Sequence, residues 1–218
     1  MTERKGDWIQ TFPCGIQFWT LDPRPEEVRL ADIAHALSLQ CRYGGHCREH
    51  YSVAEHSVRV SEALVIGDNL RGATMLVWKY IWDSEPSKHQ IDAALRLAAL
   101  MHDASEAYFM DFPRPVKREL YKLCPEIKAI FDRLDHAIAR HFRFPVWMMN
   151  DAAVKRADNV VLMTEKRDLL APAPAEWKLG QCQDDVEPLA DPIVPWSSRD
   201  AQYRFLNTFA DLKADALL

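Results

Sequence analysis

The chain has 218 residues, 48% of them hydrophobic, which is enough for one sizeable core and favours a single domain over two. Its net charge of −5, from 27 basic against 32 acidic residues, argues against a general grip on polymeric DNA or RNA, which needs a broad basic surface. A small anionic substrate held in a local basic pocket stays open.

Taken in chain order, WIQTFPCGIQFWTL reads as two short strands around Pro13-Cys14-Gly15, a small hairpin within residues 8–21. DPRPEEVRLADIAHALS starts a helix, with Asp32 as a cap inside it. LQCRYGGHCREH is a loop marked by Gly44-Gly45. YSVAEHSVRVSEALVI is a well-signalled helix: Ser52 and Glu55 have capping-box spacing, and Val53, His56, Val60 and Leu64 share one stripe. A further helix is expected over residues 73–82, followed by a polar break. IDAALRLAALMHDASEAYF reads as one strong helix, with Ile91, Leu95, Ala98, His102, Ser105 and Phe109 on a face. MDFPRPVKREL turns and restarts, with Pro115 suited to a first helical turn.

PEIKAIFDRLDHAIARHF is amphipathic through Ile127, Ile130, Phe131, Leu134 and Ile138. DAAVKRADNVVLMTEKRDLL opens on Asp151 as cap and buries Val154, Ala157, Asp158, Val161 and Leu162. Residues 171–196 form a Pro-rich loop, and a closing helix over 198–213 is capped by Ser197 or Ser198. The sum is one all-α bundle with a small N-terminal β-hairpin. The seven glycines are too few for most sandwiches or barrels. Five cysteines without a C-x-x-C argue against a disulfide scaffold and for a reducing cytoplasm. The charged N-terminus lacks a signal core, and no apolar run approaches the ~18 residues of a membrane span, so a soluble protein without a membrane partner is expected.

Three helices each carry an ionisable group on the face that should be buried: His56, His102 with its neighbour Asp103, and Asp158. Burying one unpaired carboxylate costs several kcal/mol, roughly the whole margin of a domain. A divalent cation removes that cost for all of them, since two imidazoles and two carboxylates neutralise it and leave positions open for water and substrate. A lone buried His, or a lone His-Asp pair, has ordinary structural explanations; the conjunction on three helices favours a metal.

YSVAEHS, LMHDASEAYFMDFPRPVK and VKRADNVVLMTE resemble the HD-domain superfamily of metal-dependent phosphohydrolases, and more narrowly bacterial and phage 5′-deoxynucleotidases and phage dATP triphosphohydrolases. The resemblance implies that His56, His102, Asp103 and Asp158 hold one divalent transition metal (Co, Mn, Zn or Fe), with further Mg or Mn arriving with substrate phosphates. It implies that Glu106 and Asp111 flank the attacking water or protonate the leaving oxygen, and that Lys117 holds a phosphate. By the same resemblance the substrate is a nucleotide, mono- or triphosphate, and the protein a homo-oligomer. Read from the residues alone, Glu106 could equally pair with Lys117 or Arg118, and Asp111 could serve the turn.

Pro113 and Pro115 stiffen the approach to Lys117. The loop before the first metal helix should open over the pocket, so Arg42 is a candidate for phosphate or sugar, and Tyr43 or Trp19 for stacking on a base. Two other classes compete: a di-iron oxygenase, for which His136 and His141 are the available extra ligands, and a non-catalytic nucleotide-binding module. Compared with the family's pattern, residues 68–90 and 171–196 are long, which leaves substrate choice open.

Overall fold

In the computed structural model, which describes residues 4–67, 71, 74–75, 85–177 and 186–216, the chain begins with the expected hairpin. Strand β1 (Ile9–Gln10) pairs antiparallel with β2 (Gln17–Phe18), with Ile9 opposite Phe18. The Phe18 ring stacks on Tyr108 at 3.8 Å and Thr20 Oγ1 donates to the Tyr108 carbonyl at 3.1 Å, so the hairpin is fastened beside the His-Asp segment.

Helix α1 (Leu30–Leu39) starts from Arg29, not at Asp32. Asp32 lies in the first turn, where a carboxylate suits the helix dipole, and its Oδ1 accepts from Cys14 N at 2.8 Å, tying the hairpin turn to α1.

Helix α2 (Val53–Ala63) is the central rod, packed against α1 and three later helices, α3 (Lys88–Leu100), α6 (Ala152–Leu169) and α7 (Ser198–Ala216). Ser52 caps it by accepting from Glu55 N at 3.1 Å. The reciprocal half of the expected capping box is absent. The Glu55 carboxylate reaches Arg59 at 2.7 Å and accepts from Trp196 N at 2.8 Å, which pins the segment before α7. A complete box closes α3 instead, between Ser87 and Gln90.

The helix expected to run unbroken from 91 to 109 stops at Leu100. The Ala99 carbonyl, which a continuing helix would pair with Asp103 N, accepts from the His102 ring nitrogen Nδ1 at 2.8 Å. Residues 101–103 turn, and Ala104–Tyr108 form a 3-10 helix. A turn, and not a helix, thus presents the His102 and Asp103 side chains to one place.

Helix α4 (Arg114–Leu123) has Pro115 in its first turn, as expected. Helix α5 (Pro125–Phe142) packs against it and against the 3-10 helix. Asp151 caps α6 by accepting from Ala153 N at 2.8 Å, and Ser197 caps α7 by accepting from Asp200 N at 3.1 Å. The largest core cluster gathers Phe18, Leu37, Val58, Leu95, Leu134, Val161 and Phe205 from the hairpin and six helices. The expected helix over 73–82, apart from residues 74–75, and residues 178–185 of the Pro-rich loop lie outside the described residues. No helix among the described residues is long and apolar enough to cross a membrane.

Candidate metal centre

His56 comes from the first turn of buried α2, His102 and Asp103 from the turn that ends α3, and Asp158 from the second turn of α6. One ligand atom each from His56, His102 and Asp158 lies within 4.8 Å of the others. Asp103 closes the group: its Oδ2 is 3.2 Å from His102 Nε2 and 3.7 Å from His56 Nε2, while His56 Nε2 is 3.3 Å from Asp158 Oδ1. The structure thus brings together all four of the residues expected to bind metal.

The two imidazoles are held from behind. His56 Nδ1 is 2.6 Å from Glu165 Oε1, and His102 Nδ1 donates to the Ala99 carbonyl. Both Nε2 atoms are buried and make no well-aligned hydrogen bond among the described residues, although a carboxylate oxygen lies 3.3 Å from His56 Nε2 and 3.2 Å from His102 Nε2. Two imidazole nitrogens turned toward two carboxylates in a buried site, without aligned hydrogen bonds between them, form an arrangement that a shared cation would satisfy. Nδ1 anchoring is what fixes a tautomer that offers Nε2 as donor. Two imidazoles and two carboxylates suit a divalent first-row ion, and the residues present fit one.

The charged side chains of this cluster compensate one another. Burial and Arg42 push the His56 ring down, but Glu165 and Asp158 outweigh them and raise it. Burial opposes the His102 imidazolium too, and Asp103 lifts it to about 9. Asp158 is held well below the usual carboxylate range, against burial, by His56 and Arg114. Arg114 Nη2 donates to Asp158 Oδ2 at 2.6 Å and Nη1 to Asn159 Oδ1 at 2.8 Å.

Glu106 is buried on the 3-10 helix. Its Oε1 accepts from Lys117 Nζ at 2.9 Å, while Oε2 has no partner among the described residues. Burial, with Asp103 adding to it, pushes its carboxyl well above the ordinary range against the pull of Lys117. Gln40 positions this segment: its Nε2 donates to the Glu106 carbonyl and its Oε1 accepts from Asp111 N, both at 3.0 Å. Asp111, Glu106 and Lys117 line a small cavity of 180 Å³ that also touches Asp103 and Asp158. A larger one of 480 Å³ opens on His102, Asp103 and Asp158 and carries Arg114, Lys117, Arg118, Lys128 and Lys155 in its walls.

Arg42 lines the smaller cavity and is held by carboxylates there. It is buried, with Nε 3.3 Å from Glu165 and Nη1 3.6 Å from Asp103, behind the imidazole of His56. Tyr43 sits at φ 59°, in a left-handed turn that Gly44 and Gly45 continue at φ 60° and 85°. Its hydroxyl donates to Glu165. Trp19 lies in the hairpin under the Arg4 guanidinium, 4.4 Å from its ring centroid, and lines neither cavity. Pro115 serves the first turn of α4 and lines neither of these two cavities. His136 and His141 are remote from the ligand set: His136 is exposed and turned to the Asp132 carbonyl, and His141 stacks edge-on to Phe142.

Glu165 escaped the sequence reading, although it stands seven residues after Asp158 and so on the same helical face two turns on. Fully buried and held down at about 2, against burial, by Arg42 and His56, it orients one imidazole and neutralises one guanidinium. Gln40 carried no signal, since its partners are backbone groups far along the chain.

No family model matches the chain. Over 205 residues it is 30% identical to Uncharacterized protein YfdR of Escherichia coli (strain K12), covering 94% of this chain and 95% of that one. The chain belongs to the YfdR family. A second relative, Uncharacterized protein RCAP_rcc00048 of Rhodobacter capsulatus, is 34% identical over 139 residues, 63% of this chain and 58% of that protein. The match to YfdR runs nearly end to end, so the family takes in the elements that build the centre as well as the hairpin or the closing helix.

Proposed function

We propose that this YfdR-family chain is an HD-type metal-dependent phosphohydrolase acting on deoxynucleotides or nucleotides. The observation that carries the proposal is the pair of buried Nε2 atoms turned to Asp158 and Asp103 without an aligned hydrogen bond, each imidazole anchored through Nδ1. Those four residues would hold a divalent ion, which supplies acidified water and polarises a phosphoryl oxygen.

The chain's own residues supply the rest. Arg114 and Lys117 stand at the mouth of the ligand cluster, each already paired with a carboxylate, and can exchange those partners for phosphate oxygens. Lys117 leaves from a helix start stiffened by Pro113 and Pro115, which favours in-line holding of a phosphate. Glu106 keeps one carboxylate oxygen unpartnered beside Asp103 and is placed to orient water or pass a proton to the leaving oxygen, with Asp111 on the far wall of the same cavity.

The test is product release from a panel of deoxynucleoside and nucleoside mono- and triphosphates, followed by liquid chromatography. The protein is stripped and reloaded with Mn²⁺, Co²⁺, Zn²⁺, Fe²⁺ or Mg²⁺. Phosphate or triphosphate release that needs metal, and that disappears in H102A and D158A, is expected. No metal-dependent turnover of any nucleotide rejects the proposal.

A further inference from the structure

A third cavity, of 590 Å³, adjoins the catalytic one and has a different character. Tyr43, Pro113, Arg114 and Leu162 line both it and the smaller metal-side cavity, so the two share a wall. Its remaining walls are Leu170 and Trp177, with Pro115, His46 and Arg118 at the edge. Leu162, Lys166 and Leu170 follow one another at four-residue spacing along the face of α6. Trp177 folds back over that stripe, its ring 5.1 Å from Lys166 Nζ. The first residues of the Pro-rich loop thus build a wall of this cavity.

The volume falls within the ~300–1,000 Å³ of small-molecule sites. Two aromatic rings and two leucines face the space, and two guanidiniums divide it from the metal ligands. A ligand that fills both compartments must carry an anion at one end and a flat apolar group at the other. We infer that this cavity is the nucleobase subsite, with Trp177, Leu170 and Tyr43 as the stacking walls; the inference rests on the proposed hydrolase reading for the phosphate end. No amide or carboxylate is present among the described residues that line it. Its polar side chains, Arg114, Arg118, His46 and the Tyr43 hydroxyl, thus offer no paired donor and acceptor of the amide kind to a base edge, and recognition rests mainly on stacking, which tolerates any base and favours the larger purine.

The decisive comparison is deoxyadenosine 5′-monophosphate against 2-deoxyribose 5-phosphate, which lacks the base, with adenosine as a binding probe that cannot be hydrolysed. In the wild type kcat/KM should favour the nucleotide by on the order of 10-fold or more. W177A should bring that ratio close to one and leave turnover of the sugar phosphate within about twofold, since the indole touches no reacting group. L170D, at the partly buried C-cap of α6, should lower the ratio likewise. Adenosine binding by calorimetry should weaken in parallel in both variants, and dAMP and dGMP should differ by less than about fivefold.

An unchanged nucleotide-to-sugar-phosphate ratio and unchanged adenosine affinity in both variants overturn the assignment. So does a wild type that binds no adenosine, or a dimer that W177A disperses, which would make the cavity a protein contact. If neither monophosphate ester is turned over with any metal, the adenosine calorimetry still decides the subsite, and the hydrolase reading falls only if the triphosphates of the panel fail as well.

Discussion

Glu165 is the most informative residue to perturb, because it joins the two halves of the centre. It has no exposed surface, accepts from Tyr43 and Arg42, and holds His56 through Nδ1 at 2.6 Å. In E165Q one new amide oxygen can still serve His56. The amide nitrogen, a donor, then meets the Arg42 guanidinium, which can only donate, while the Tyr43 hydroxyl must turn from donor to acceptor. Arg42 keeps Asp103 at 3.6 Å and loses its nearer carboxylate. Breaking a buried ion pair from one side costs about 3–5 kcal/mol, because the remaining charge stays buried. At ~2–4 °C per kcal/mol for a chain of this size, that predicts a drop in Tm of roughly 6–20 °C.

Loosening the His56 ring should weaken metal binding by about 10–100-fold, measured by chelator competition. The double variant R42M/E165Q removes the stranded charge along with its partner, so it should be clearly more stable than the sum of the single losses. Additive losses in that cycle, or E165Q with wild-type Tm and metal affinity, would refute the account of Glu165 as the shared support of an imidazole and a guanidinium.

Three further expectations bear on the same structure. A divalent ion that fits the centre should stabilise the fold by about 2.7 kcal/mol at 100 times its Kd, raising Tm by roughly 5–11 °C, and the increment should vanish in H102A; scanning calorimetry with and without metal checks it.

Asp135 lines the larger cavity, and burial raises its carboxyl to about 6 against Ser105 and Lys117, with Asp103 and Asp132 pushing the same way as burial. An acid raised in the folded state favours folding below its unfolded value and loses that contribution as pH rises through about 6. D135N should therefore gain on the wild type by up to about 3 kcal/mol between pH 4 and pH 8, and urea titrations that show a pH-independent difference would contradict it.

S87A removes the cap of α3, far from the ligands. It should cost about 1 kcal/mol, seen as a Tm lower by ~2–4 °C, with metal affinity unchanged.

Much of this protein is legible along the chain because it depends on neighbours in sequence. The apolar periodicity of YSVAEHSVRV and PEIKAIFDRLDHAIARHF, the caps at Ser52, Asp151 and Ser197, and Pro115 in a first turn all follow from local backbone chemistry. The residues that could hold a metal are also legible in the sequence, since a buried charge is costly wherever the chain is folded and three apolar segments each carry one.

Tertiary packing decided what local chemistry leaves open. Asp32 has the makings of a cap, but its partner is Cys14 N, so it lies inside α1. Glu55 has capping-box spacing, but Arg59 and Trp196 claim its carboxylate. The helix through His102 breaks because the ring takes the Ala99 carbonyl, a choice worth making only when Nε2 faces the centre. Arg42 and Glu165, 123 residues apart, compensate each other behind His56, and Trp177 turns a Pro-rich loop into the wall of a cavity. The physical reason is the same in each case: burial makes every polar group find a partner, and which partner lies within reach is set by how the helices stack.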